Sequence, residues 1–82
     1  MVMFYVYLLE SDVLPEQRYV GLTTDLKQRL AEHNAGKSAH TSKFLPWRLV
    51  TYVAFSDQAK ATTFEGYLKS GSGHAFARER LW

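Results

Sequence analysis

Several polar side chains sit among apolar neighbours in this chain, and their types can move protons and hold ions. Arg29 and His33 lie four residues apart, interleaved with Leu26 and Leu30 at helical spacing, so both sit beside a buried stripe. An arginine can stabilise charge developing on an anion, and a histidine, which titrates at about 6.5 when unperturbed, can move a proton near neutral pH. Each also has an ordinary structural use. The arginine stem can cover apolar surface while its guanidinium reaches water, and a histidine near a helix C-terminus is favoured by the macrodipole.

Glu65 follows Ala61 by four residues and precedes Leu68 by three, so it falls on or beside the inward face marked by Ala61, Phe64 and Leu68. A buried carboxylate is costly unless it is paired or holds a cation. Two partners are open: Arg29 in a structural ion pair, or a metal ion. Tyr5 and Tyr7 share one face of a strand, and Tyr19 on the next strand can lie near them. Tyrosines in strands are most often packing residues.

These side chains need elements to hold them. Phe4–Leu9 is apolar on both alternating faces, the pattern of a strand covered on both sides. A polar break with Asp12, Pro15 and Glu16 separates it from Arg18–Leu22, and the pair reads as an antiparallel hairpin. Thr23-Thr24-Asp25 supplies an N-cap oxygen and a first-turn carboxylate for a helix closed by Asn34 and Gly36. The polar segment from Gly36 to Pro46 is either a loop or a short irregular helix. Arg48–Phe55 is a third strand, and Ser56-Asp57 caps a helix running to Lys69. Ser70-Gly71-Ser72-Gly73 terminates that helix, and Ala75–Leu81 can form a short final one. The expected class is α+β, a three-stranded antiparallel sheet flanked by helices.

Length and composition bound the rest. A chain of 82 residues has room for one core, so residues 1–82 are expected to form a single domain. Its 46% hydrophobic and 15% aromatic content is that of a folding chain. With no cysteine, there is no disulfide and no thiolate zinc site, so stability rests on packing, with a homodimer as a further way to bury surface. No apolar run approaches the roughly 20 residues that span a bilayer, and the N-terminus lacks a leader pattern, so a soluble cytoplasmic protein without a membrane partner is expected. A formal charge of +2 permits a nucleic-acid partner without requiring one.

Tyr5-Val6-Tyr7, then Tyr19-Val20-Gly21 after a short hairpin, then Arg29, His33 and Glu65 in that order, resemble the GIY-YIG nuclease family. The resemblance covers nearly the whole chain and is closest to the small single-domain members. There Leu22-Thr23 leads into Leu26, Arg29, Leu30, His33, Asn34 and Gly36, and counterparts of Pro46–Val50 and Leu68–Gly73 recur. Tyr5 departs from the pattern, standing where the name motif has glycine and adding bulk to the strand face that carries Tyr7.

The resemblance implies a metal-dependent endonuclease that hydrolyses phosphodiester bonds in DNA, with structured or damaged DNA in repair or recombination as the candidate substrate. It implies Glu65 as ligand of a divalent metal, Mg2+ foremost and Mn2+ as the alternative, and Arg29 as a cation beside the scissile phosphate. Tyr7, Tyr19 and His33 would orient or activate water and handle protons. Magnesium suits a site with one glutamate, because it keeps several waters and takes phosphate oxygens. Lys27, Lys37, Lys43, Lys69, Arg78 and Arg80 are candidate phosphate contacts, or simply a solvated face. Two other functions stay open: a nucleic-acid-binding module without catalysis, and a protein-interaction domain in which Glu65 only pairs with Arg29.

Overall fold

In a computed structural model that describes residues 1–82, β1 (Phe4–Ser11) is the middle strand of a three-stranded antiparallel sheet of order β2-β1-β3. That position explains its two-faced apolar pattern: Val6, Leu8 and Leu9 are fully buried. β2 (Arg18–Thr23) pairs with it from Tyr5 opposite Thr23 to Glu10 opposite Arg18. β3 (Trp47–Phe55) flanks the other side, and its register slips between Leu8, opposite Thr51, and Leu9, opposite Leu49. The extra residue there is Val50.

The two sheet faces carry separate cores. On one, Val6 and Leu8 pack with Ala61, Leu68 and Ala77, joined by Phe64, Phe76 and the C-terminal Trp82. On the other, Tyr7 and Leu9 pack with Trp47, joined by Tyr19, Leu26 and Leu30. Each full burial of a large apolar side chain contributes about 1.5–3 kcal/mol. The helices α1 (Leu26–Asn34) and α2 (Gln58–Leu68) therefore lie on opposite faces. No helix is long and apolar enough to cross a membrane.

The start of α1 differs in detail from expectation. Asp25 is itself the N-cap, its carboxylate accepting the Gln28 N–H at 3.0 Å, so the first turn holds no acidic residue. The helix stops at Gly36, whose φ of 77° lets the Gly36 and Lys37 N–H groups turn back onto the carbonyls of His33 and Glu32.

The Gly36–Pro46 segment is a run of turns and contains no helix. Its irregular backbone is satisfied by side chains from the strand ends. Ser11 Oγ donates to the Phe44 carbonyl at 2.7 Å, and the Trp47 indole N–H donates to the Thr41 carbonyl at 2.8 Å.

α2 starts at the Asp57 cap, as expected, but the Ser70–Gly73 sequence does more than end it. Ser70 caps a third helix, α3 (Gly71–Arg80), by accepting the Gly73 N–H, so this helix begins well before Ala75 and spans ten residues. Gly73 is there for contact: a Cβ at that position would lie 1.6 Å from the Tyr67 carbonyl oxygen in the last turn of α2. Serine and glycine signal a break in sequence, whereas here one caps and the other permits close approach.

Two glycine substitutions should therefore move stability in opposite directions. Gly66→Ala, inside α2 with nothing within 4 Å of the new methyl, should stabilise by roughly 0.5–1 kcal/mol in urea unfolding. Gly73→Ala should destabilise by about 1–3 kcal/mol or more, because the clash is with backbone that cannot rotate away. Equal effects of the two would show that α3 is not seated on α2 in this way.

Candidate active site

Tyr7 stands opposite Gly21 across the β1–β2 ladder, and its ring lies over that glycine. A Cβ on Gly21 would come within 2.3 Å of the Tyr7 oxygen and 2.4 Å of Cζ. The absence of a side chain at position 21 thus lets a buried phenol reach across β2 toward α1.

What meets it there is a ring cluster and a cation. Tyr7, Tyr19 and His33 form a triangle with centroids 5.0–6.2 Å apart. The phenol oxygen lies 3.0 Å from His33 Nε2 and 3.3 Å from Arg29 Nε. His33 Nδ1 lies 2.8 Å from the hydroxyl of Thr41, which is buried.

The donor inventory gives this network a direction. Arg29 Nε–H can only donate, so the Tyr7 oxygen accepts from it and has its own hydrogen free for His33 Nε2. Burial first, and the Arg29 charge second, push the His33 pKa down, which keeps the ring neutral near pH 7. A neutral ring accepting at Nε2 carries its hydrogen on Nδ1 and donates it to Thr41.

The Tyr7 phenol is pushed up from 10, chiefly by burial; the Arg29 hydrogen bond opposes this without outweighing it. Arg29 is held charged by its bonds to Tyr7 and Glu32, the second an ion pair at 3.0 Å. That same guanidinium holds the Glu32 carboxyl below its usual range.

Glu65 arrives from the opposite face, on α2. An ion pair with Arg29, open from the sequence, is not formed: Arg29 pairs with Glu32, and Glu65 pairs with Lys69 at 3.2 Å. The physical reason is the intervening sheet. Glu65 still acts on the cluster, because its charge is one of the influences that raise the Tyr7 pKa. The Lys69 side chain borders a groove shared with Tyr19 and Thr41, on the cluster's side of the strand.

No group of three or more His, Cys, Asp and Glu residues stands ready to hold a metal. The candidate donor set is the one carboxylate of Glu65, whose side chain is 22% exposed. Such a set does not fit a structural zinc cage, which needs about four protein ligands. It does fit a hydrated divalent ion that uses one carboxylate and completes its shell with water and phosphate oxygens.

Tyr7, Tyr19, Arg29 and His33 therefore meet directly, whereas Glu65 lies on the opposite face of the sheet, paired with Lys69. Tyr5 does not take part: its ring stacks edge-on against Tyr52 of β3, 5.7 Å away, so its bulk in the glycine position is directed away from the cluster. Thr41, whose hydroxyl meets His33 Nδ1, was not legible beforehand, because a lone threonine in a turn segment has no periodicity to mark it. Glu32 was legible in principle, being three residues from Arg29 on one helix.

Comparison with known proteins follows the same lines. The model of the GIY-YIG catalytic domain matches residues 3–78. A UPF0213 protein of Streptococcus pyogenes serotype M3 is 42% identical over 66 residues, covering 79% of this chain and 70% of that protein, and its counterpart in serotype M5 matches equally well. The solution NMR structure of a UPF0213 protein from Bacillus halodurans superposes with a TM-score of 0.56 at 31% identity, covering 94% of this chain and 83% of that one. By sequence, by the order of its motif residues and by fold, the chain belongs to the GIY-YIG catalytic domain family, a nuclease superfamily, and it is similar to UPF0213 proteins.

Proposed function

We propose that the protein is a metal-dependent endonuclease that hydrolyses phosphodiester bonds in DNA, with Tyr7, Tyr19, Arg29, His33 and Glu65 as its working residues and Mg2+ as its metal. The observation that carries this reading is the directed chain from Arg29 through the Tyr7 phenol to a neutral His33.

Each residue has a task that its surroundings suit. Arg29, tethered by Glu32 yet 41% exposed, offers its free edge to the phosphoryl oxygens and stabilises charge that grows in the transition state. Tyr7 would relay a proton, taking one from the attacking water as its own passes to His33, so that no free phenolate stands against a phenol pKa raised by burial. Thr41 holds the His33 ring in the tautomer this transfer needs. Tyr19, packed edge-on to His33, closes the cluster and lines the groove. Glu65 would hold the divalent ion, which when bound supplies Lewis-acid polarisation of the phosphate.

DNA as substrate rests on family membership and on the cations around the groove, Arg18 and Lys69. A role on branched or damaged DNA would suit so small a module, which has little surface for base readout.

Purified protein incubated with duplex, branched and single-stranded DNA should cut in Mg2+ or Mn2+ and fail in EDTA. Glu65→Gln and Arg29→Ala should each lower the rate by about 100-fold or more with unchanged circular dichroism. Equal cutting in EDTA, or full activity of Glu65→Gln, would sink the reading.

Replacing Tyr7 by Phe removes the transferred proton while keeping the ring, and should cost about 100- to 10,000-fold in rate with little change in DNA affinity. A variant with wild-type turnover would remove the phenol from the mechanism.

The lowered pKa of His33 also sets a sign for stability. An unfolded histidine titrates near 6.5 and binds its proton first as pH falls, so acidification favours the unfolded chain. His33 therefore contributes stability above about pH 6.5 that is lost as pH drops toward its lower folded value. Melting temperature should fall between pH 7 and pH 5.5, with a shallower fall in His33→Gln; an unchanged slope would mean that His33 is not buried neutral.

A further inference from the structure

Lys69 caps the C-terminus of α2, where a cation is favoured by the helix dipole, and its ammonium lies 3.2 Å from Glu65 one turn earlier. It also overhangs β2. Two grooves, of about 520 and 450 Å3, share Gln17, Arg18, Tyr19 and Lys69 as lining residues. One continues to His74 and Arg78 of α3, the other to His40 and Thr41 of the turn segment. Lys69 thus stands at the junction of the two grooves, beside Tyr19, while its charge is engaged by the carboxylate assigned above to the metal.

One carboxylate cannot be fully engaged by an ammonium and by a divalent cation at the same face. The Lys69 side chain is 55% exposed and flexible, so it is the partner that can leave. Once displaced, it still lines both grooves beside Tyr19. By contrast, Lys27 on α1 and Lys43 in the turn segment line neither groove.

We infer that Lys69 is an exchangeable counter-ion: it neutralises Glu65 in the metal-free protein, is displaced when a divalent cation binds that carboxylate, and then contacts a phosphate of the bound strand. This inference rests on the reading of Glu65 as the metal ligand. Its consequence is thermodynamic coupling, because metal binding releases a phosphate-binding charge and phosphate binding removes a competitor of the metal. Lys69 thereby delays metal loading until substrate is present.

The test measures binding. Free Mn2+ is followed by electron paramagnetic resonance during titration of wild type, Lys69→Met and Lys69→Arg without DNA. Lys69→Met should bind Mn2+ about 2- to 5-fold more tightly, the scale expected from removing one exposed ion pair. Lys69→Arg, which keeps the charge, should stay near wild type, and Glu65→Gln should lose the site in every background. The second readout is the fluorescence anisotropy of a labelled DNA duplex in EDTA and in Ca2+, another ion that takes oxygen ligands. The gain in duplex affinity on adding Ca2+ should be smaller in Lys69→Met than in wild type.

Mn2+ affinity that is equal or weaker in Lys69→Met overturns the inference and leaves Glu65 as a ligand. A Ca2+-dependent gain equal in both proteins overturns the coupling. Wild type that binds no Mn2+, or binds it equally well as Glu65→Gln, removes the metal reading of Glu65 and this inference with it.

Discussion

A phenol buried in the middle of a sheet cannot be left without hydrogen bonds, and satisfying Tyr7 organises much of this molecule. The unmet cost of such a group is on the order of 1–3 kcal/mol, comparable with a fair fraction of a small domain's net stability. Two side chains of α1 meet it, Arg29 and His33, four residues apart and so on one face of the helix. That requirement fixes how α1 is rotated against the sheet, because its apolar residues Leu26 and Leu30 are only partly buried and would tolerate more than one orientation. The sole fully buried residue of α1 is His33.

The constraint then propagates outward. His33 needs a partner for its second nitrogen, and Thr41 supplies it, which pins a turn segment that has no regular structure. The Thr41 carbonyl takes the Trp47 indole N–H, and Asn34, at the end of α1, holds the Trp47 backbone through both its amide atoms. Helix, turn segment and β3 are joined by polar bonds around one aromatic cluster. Such a network is stiff when every member is satisfied, and no buried side-chain polar atom here lacks a partner. Stiffness of this kind is what a site of preorganised charge requires.

The sheet separates the two groups of functional residues as much as it supports them. α1 delivers its cation and base from one face, while α2 brings its carboxylate from the other. β2 is an edge strand, and Gly21 leaves room there for the Tyr7 ring. The arrangement leaves Glu65 and Arg29 each with a local counter-ion, Lys69 and Glu32, so neither charge is stranded in the absence of ligand. It also leaves both with exposed surface from which to meet one.

The amino-acid sequence alone determined the elements and the candidates. Two-faced apolar character marked β1 as central, Asp25 and Asp57 marked helix starts, and the spacing of Arg29, His33 and Glu65 marked polar groups next to buried stripes; all of these are local properties of the chain. Tertiary structure alone decided which candidates meet. That Tyr7 rather than Tyr5 enters the cluster depends on which cross-strand neighbour lacks a side chain, and Thr41 becomes a partner of His33 only when the turn segment folds back. The same holds for the length of α3, since whether Ser70–Gly73 breaks a helix or begins one depends on the Tyr67 carbonyl that Gly73 must approach. Periodicity reports which face of an element a residue occupies, but contact between faces is set by packing across distances that no local pattern encodes.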